Sequence, residues 1–132
     1  MGIKQTLQTY FNNHCETSET HNDEQLRSHY YKLATKKAMK SVKEIIEKLD
    51  GFRVTSFSDE HGEISVSVAK GKKAFMVVTV ISVRPFETAI DFSVTTNTKI
   101  LPFDFGFSRK VVLYMYETLD KELTFIGTGL NG

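Results

Sequence analysis

The chain has 132 residues, 40% of them hydrophobic, enough for one domain with its own core and too few for two comfortable ones. Seventeen basic residues against sixteen acidic ones leave a formal net charge of +1, which excludes a whole-molecule field for nucleic acid or an acidic substrate; any electrostatic site must be local. The single cysteine, Cys15, excludes an internal disulfide, no apolar run approaches the roughly 20 residues that span a bilayer, and the N-terminus lacks the apolar core of a secretory signal, so cytoplasmic residence is expected.

Ile3, Leu7, Tyr10 and Phe11 recur at helical spacing and predict a short amphipathic helix that could not stand alone in water. The segment from Asn12 to Gln25, NNHCETSETHNDEQ, is polar and without period, and reads as a flexible linker. The expected organisation is residues 1–25 as helix and linker, residues 26–126 as a single α+β domain, and residues 127–132 as a frayed tail.

His29 to Leu33 is aromatic enough for a first short strand, after which Thr35 is placed to cap a helix running to about Leu49, with Gly51 as its stop. Ala38, Val42, Ile45, Ile46 and Leu49 line one side of this helix, and Lys43 with Glu47 and Glu44 with Lys48 pair on the other. Lys32, Lys36, Lys37, Lys40 and Lys43 form a run with no acid between them. Lysines at a helix start oppose the helix dipole. The run reads either as a basic surface for anionic lipid or an acidic partner, or as solvated lysines around an amphipathic helix.

Four strand-like segments follow, of which Ala74 to Val83, AFMVVTVISV, is apolar on both sides while the segments flanking it alternate. A five-residue loop, Ser58 to Gly62, sets Phe52 opposite Val68 and Val54 opposite Val66; a two-residue turn at Gly71 and Lys72 sets Val68 opposite Phe75, Val66 opposite Val77 and Ile64 opposite Thr79. The loop Arg84 to Glu87 sets Ile81 opposite Ile90, Thr79 opposite Phe92 and Val77 opposite Val94. In this register one face is apolar and the other collects Arg53, Thr55, Glu63, Ser65, Ser67, Asp91, Ser93 and Thr95. Met76, Val78 and Val80 form an apolar stripe along that polar face. After an apolar loop, Ser108 leads into a last helix with Val112, Met115, Tyr116, Leu119 and Leu123 on its buried side. The expected fold is α+β: a four-stranded antiparallel meander with two helices on one face, order βαββββα, a helix-grip-like sandwich.

This order, together with PFDFGFSRKVV at Pro102 to Val112, resembles a group of small uncharacterised bacterial domains in which a late strand runs into an Asp-x-Gly-x-Asn-Arg-Lys turn before the closing helix. The matching positions are Asp104, Gly106, Ser108, Arg109 and Lys110, with Ser108 where the pattern has Asn; both residue types cap helices. The stretch from Tyr30 through Leu123 also resembles a conserved cytosolic family of Gram-positive bacilli without an assigned activity. The resemblance implies a fold and lends no catalytic residue.

Ser108, Arg109 and Lys110 at a helix start offer a candidate anion site, against the simpler account of a structural turn anchored by Phe103, Phe105 and Phe107. His14, Cys15 and His21 fit no common zinc spacing, and Glu63 and Asp91 fall a strand apart, so no metal set or carboxylate pair is expected. No cofactor is implied, an enzyme is not expected, and one aromatic, Phe57, makes no stacking platform for nucleic acid. The favoured reading is a non-enzymatic interaction module that self-associates or binds a protein partner through the second sheet face. Its candidate interface is Met76, Val78 and Val80 with Ile3, Leu7, Tyr10 and Phe11. The alternative is a carrier of a small apolar ligand or lipid, with a cavity between helices and sheet lined by Phe75, Phe92 and the last helix.

Overall fold

The computed structural model describes residues 13–96 and 106–128. The elements are β1 (His14–Glu16), a 3₁₀ turn (Glu24–Leu26), β2 (His29–Tyr31), α1 (Thr35–Glu47), β3 (Phe52–Ser58), β4 (Glu63–Val68), β5 (Ala74–Arg84), β6 (Glu87–Thr96), α2 (Phe107–Glu122) and β7 (Phe125–Thr128). The sheet has seven strands in the order β3-β4-β5-β6-β2-β7, with β1 also paired to β6 and all strand pairs antiparallel. The fold is α+β, but the four-stranded meander is overturned. β1 and the expected strand at His29, β2, extend the sheet beyond β6, and β7 adds an edge whose last two residues, Gly127 and Thr128, fall in the expected frayed tail; residues 129–132 of that tail lie outside the described residues.

β1 and β2 are two halves of one interrupted strand. His14 to Glu16 pair with Thr95 to Ser93, and His29 to Tyr31 pair with Ile90 to Thr88, so both run along the same side of β6. Between them residues 18–28 leave the sheet and return, closed by the Ser18 amide donating to the Leu26 carbonyl and the Ser28 amide to the Ser18 carbonyl, both at 3.1 Å. Much of the segment read as linker is therefore part of the sheet or folded onto it. Its polarity is used for hydrogen bonds: Tyr30 Oη donates to Glu19, and the Arg109 guanidinium holds Asp23.

The helices form as their patterns require, with shifted ends. α1 buries Ala38, Met39, Val42 and Ile46, a stripe at spacings of three and four. Thr35 lies inside its first turn; the N-cap position belongs to Ala34, which makes no side-chain cap bond. α2 buries Val111, Val112, Met115, Tyr116 and Leu119, and starts after Gly106, whose φ of 82° few other residues adopt. Both helices join one core cluster with the inner sheet face: Ile64, Val66 and Val68 of β4, Met76, Val78 and Val80 of β5, and Ile90, Phe92 and Val94 of β6. Side chains of this size contribute about 1.5–3 kcal/mol each on full burial.

The expected register is off by one residue along β5. Val68 pairs with Ala74, Val66 with Met76 and Ile64 with Val78, across a connection of residues 69–73 rather than a two-residue turn. On the other side Met76 pairs with Val94, Val78 with Phe92 and Val80 with Ile90. The Arg84–Glu87 pairing expected from the loop is present, but a bulge between Ser82 and Arg84 inserts one residue and shifts everything beyond it. A slip of one residue exchanges the faces of a strand. The β3–β4 pairs Phe52–Val68 and Val54–Val66 are as expected because a tighter turn, which pairs Ser58 with Glu63, is offset by a bulge between Val54 and Ser56.

Candidate interaction surface

Because β5 is reversed, Met76, Val78 and Val80 are not a surface stripe. They are buried in the core, with Met76 and Val78 wholly inaccessible. The residues assigned to the core instead face out: Phe75 is 49% and Ile81 46% exposed, with Val77 and Thr79 half-buried between them. On either side this row meets small polar partners. Phe75 lies between Ser67 and Thr95, and Val77 between Ser65 and Ser93. Thr79 lies between Glu63 and Asp91, a polar crossing of the row. The outer face is thus an apolar ridge on a central strand, flanked by hydroxyl-bearing side chains.

The N-terminal residues assigned to the interface, Ile3, Leu7, Tyr10 and Phe11, lie outside the described residues. Their point of entry is defined, however. Asn13 is pinned to the end of β6, its carbonyl accepting from the Thr96 amide at 2.7 Å and its side-chain amide donating to the Thr96 carbonyl at 3.2 Å. His14, next along, pairs with Thr95, which pairs on its other side with Phe75.

The gap between β1 and β2 holds a polar cluster that spacing did not reveal. Asp91 Oδ1 accepts from Thr17 Oγ1 and from Ser28 Oγ, each at 2.6 Å, so one carboxylate oxygen ties both ends of the excursion to β6. Thr17 Oγ1 also accepts from the Phe92 amide at 3.0 Å, and Tyr116 Oη donates to the Ile90 carbonyl at 2.7 Å. On the inner face His29 stacks on Tyr116 with ring centroids 3.6 Å apart, and Asp120 Oδ1 accepts from His29 Nδ1 at 2.9 Å and Tyr31 Oη at 2.7 Å. Burial, reinforced for Tyr31 by Asp120, pushes the Tyr31 and Tyr116 phenols well above the usual range. They remain neutral donors near neutral pH, suited to holding α2 against the interrupted strand.

The other candidates separate. Ser108 is buried within the first turn of α2, Arg109 is spent on Asp23 and on the Gln25 side-chain carbonyl, and Lys110 is exposed, so these three residues do not converge on an anion. Cys15 packs in the core, His14 Nδ1 meets Thr95 Oγ1, and His21 Nδ1 accepts from the Asp23 amide. Among the described residues no group of three or more His, Cys, Asp or Glu side chains is arranged to hold a metal ion. Of the residues named for the alternative's cavity between helices and sheet, Phe75 faces outward and Phe92 packs edge-on against Tyr116, so the two do not line one space. An open apolar groove of about 150 Å³ does lie between α2 and the β3–β4 pair, lined by Phe52, Val68, Phe107, Val111 and Tyr114 with Lys70 and Lys110.

Among the described residues no helix is long and apolar enough to cross a membrane. Compared with known proteins, the chain matches no family model, no curated protein and no solved structure.

Proposed function

We propose that this chain is a non-enzymatic interaction module that self-associates through the outer face of its sheet. The carrying observation is the ridge of Phe75, Val77 and Ile81 on a central strand, with Phe75 and Ile81 about half accessible. Rows of Ser and Thr on both sides are short enough to let a second sheet approach to the usual ~10 Å. The face carries both signs of charge, in Arg53, Glu63 and Asp91, and the chain is near neutral, so two copies meet without a block of like charge. In this reading the protein works in the cytoplasm, where the lone Cys15 stays reduced.

The test is the solution mass of the full chain across a concentration series, for the wild type and for Val77→Asp. A dimer that dissociates in the variant while its circular dichroism is unchanged supports the proposal. A wild type that stays monomeric at every concentration overturns it and favours residues 1–12 as the cover.

A further inference from the structure

Beyond self-association, and on different residues, we propose that the tip of the β5–β6 hairpin is an attachment point for an anionic lipid surface. The last β4 residue paired to β5 is Glu63, opposite Thr79, and the Gly62 carbonyl accepts from the Val80 amide at 2.7 Å; past that point β5 has no β4 partner. The hairpin end therefore projects on that side, and what it projects is apolar: Phe86 is 69% and Val83 43% exposed. Such a projecting apolar tip fits insertion between lipid headgroups.

The turn itself is under strain. Pro85 and Phe86 occupy the central positions between Arg84 and Glu87, and Phe86 has a φ of 63°, a left-handed conformation normally left to Gly or Asn at this place in a turn. The strained position thus holds the most exposed large apolar side chain among the described residues.

Lysines flank the same tip. Thr88, two residues from Phe86, pairs with Tyr31, donates from Oγ1 to the Leu33 carbonyl at 2.8 Å, and lies 3.4 Å from Thr35 Oγ1. Lys32 and the first turns of α1, with Lys36, Lys37 and Lys40, are therefore beside the hairpin, and all four are exposed. None of the four is in an ion pair among the described residues, whereas Lys43 is paired with Glu47. The acid of the tip, Glu87, is engaged by Arg84 at 3.5 Å, and Asp59 and Glu60 sit on the β3–β4 turn on the other side of β5. Apolar side chains for the acyl boundary and unpaired lysines for the headgroups are the two signals that reversible membrane attachment requires. An acidic protein would use the lysines and leave Phe86 in water.

The test is flotation of the full chain with phosphatidylcholine vesicles, with and without phosphatidylserine. Binding to the phosphatidylserine vesicles alone is expected, weakened by salt, and reduced roughly tenfold or more by Phe86→Ser and separately by Lys36→Gln with Lys37→Gln. Absence of flotation with phosphatidylserine overturns the proposal, as does binding that both variants leave unchanged. Retention on immobilised polyglutamate without flotation assigns the lysines to an acidic protein and also overturns it. Both variants change exposed side chains, and the wild-type circular dichroism serves as the folding control.

Discussion

Thr17 and Asp91 meet at 2.6 Å where the strand made of β1 and β2 is interrupted, and the same Asp91 oxygen accepts from Ser28 on the far side of the break. A carboxylate in the middle of a strand is unusual in a sheet whose neighbours carry hydroxyls and aliphatics. Here it closes an excursion of residues 18–28 that would otherwise be held largely by the two Ser18 backbone bonds and the Arg109–Asp23 pair. Asp91→Ala removes two charge-assisted bonds and is expected to lower stability by about 2–3 kcal/mol. Asp91→Asn retains an acceptor oxygen and should lose less. Urea midpoints of the two variants check this, and an unchanged midpoint for Asp91→Ala would show that the excursion is held elsewhere.

The register of β5 makes adjacent valines behave in opposite ways. Val78 is wholly buried between Ile64 and Phe92, so Val78→Asp places a carboxylate in the core without a donor and is expected to cost about 4 kcal/mol or more, a large part of the roughly 5–15 kcal/mol that holds a domain together. Val77, between Ser65 and Ser93 on the outer face, should tolerate Asp within about 1 kcal/mol. Thermal melts of the two variants, side by side, distinguish the registers. The reverse order of stabilities would restore Val78 to the surface.

Much of the architecture could be read from the pattern, and the departures lie in the register of β5, in the turn between β3 and β4, and in β1 and β7, which help enlarge the expected four-stranded sheet to seven strands. The two long helices and strands β3, β4 and β6 follow from their periodicity, because each has one polar side, and β5 follows from its continuous apolar run between turn residues. β5 is apolar on both sides, so neither register leaves polar groups in the core beyond Thr79, and turn lengths alone decided the expectation. The bulge at Val83 defeats that argument, since a bulge changes register without changing the turn. Thr79 held the missing signal: only the observed register sets it beside Glu63 and Asp91 rather than opposite Phe92. β2 is legible from its aromatic residues, whereas β1 and β7 have three and four residues, too short to show a period; the interrupted strand is held by Asp91 and Asp120, which lie far along the chain from it.

The buried phenols predict alkaline sensitivity. Tyr30 is pushed up to about 12 by burial and by its hydrogen bond to Glu19, and Tyr31 and Tyr116 are pushed further in the same direction. Each therefore binds its proton more tightly in the folded chain than in the unfolded one. The stability they contribute is whole below about pH 10, the unfolded value, and is lost as pH rises toward and through the folded values. In a titration followed by phenolate absorbance and circular dichroism together, these three tyrosines should ionise in step with the loss of structure. Phenolate signal from all of them ahead of any structural change would show that they are open to solvent.

Phe86 predicts a gain in stability on removal. Its φ of 63° is unfavourable for any residue with a Cβ by about 1–2 kcal/mol, while its side chain, 69% exposed, returns little by packing. Glycine relieves the strain at an entropic cost of about 0.5–1 kcal/mol, leaving a net gain on the order of 0.5–1 kcal/mol for Phe86→Gly. Phe86→Asn should gain part of this, because Asn tolerates the left-handed region, and Phe86→Ala should gain none, because its Cβ meets the same clash. Chemical denaturation of the three variants separates backbone strain from side-chain exposure. If Ala stabilises as much as Gly, the exposed ring and not the backbone is the source. If only Gly and Asn do, the turn retains a strained aromatic at the point of the hairpin that projects furthest, at the expense of its own stability.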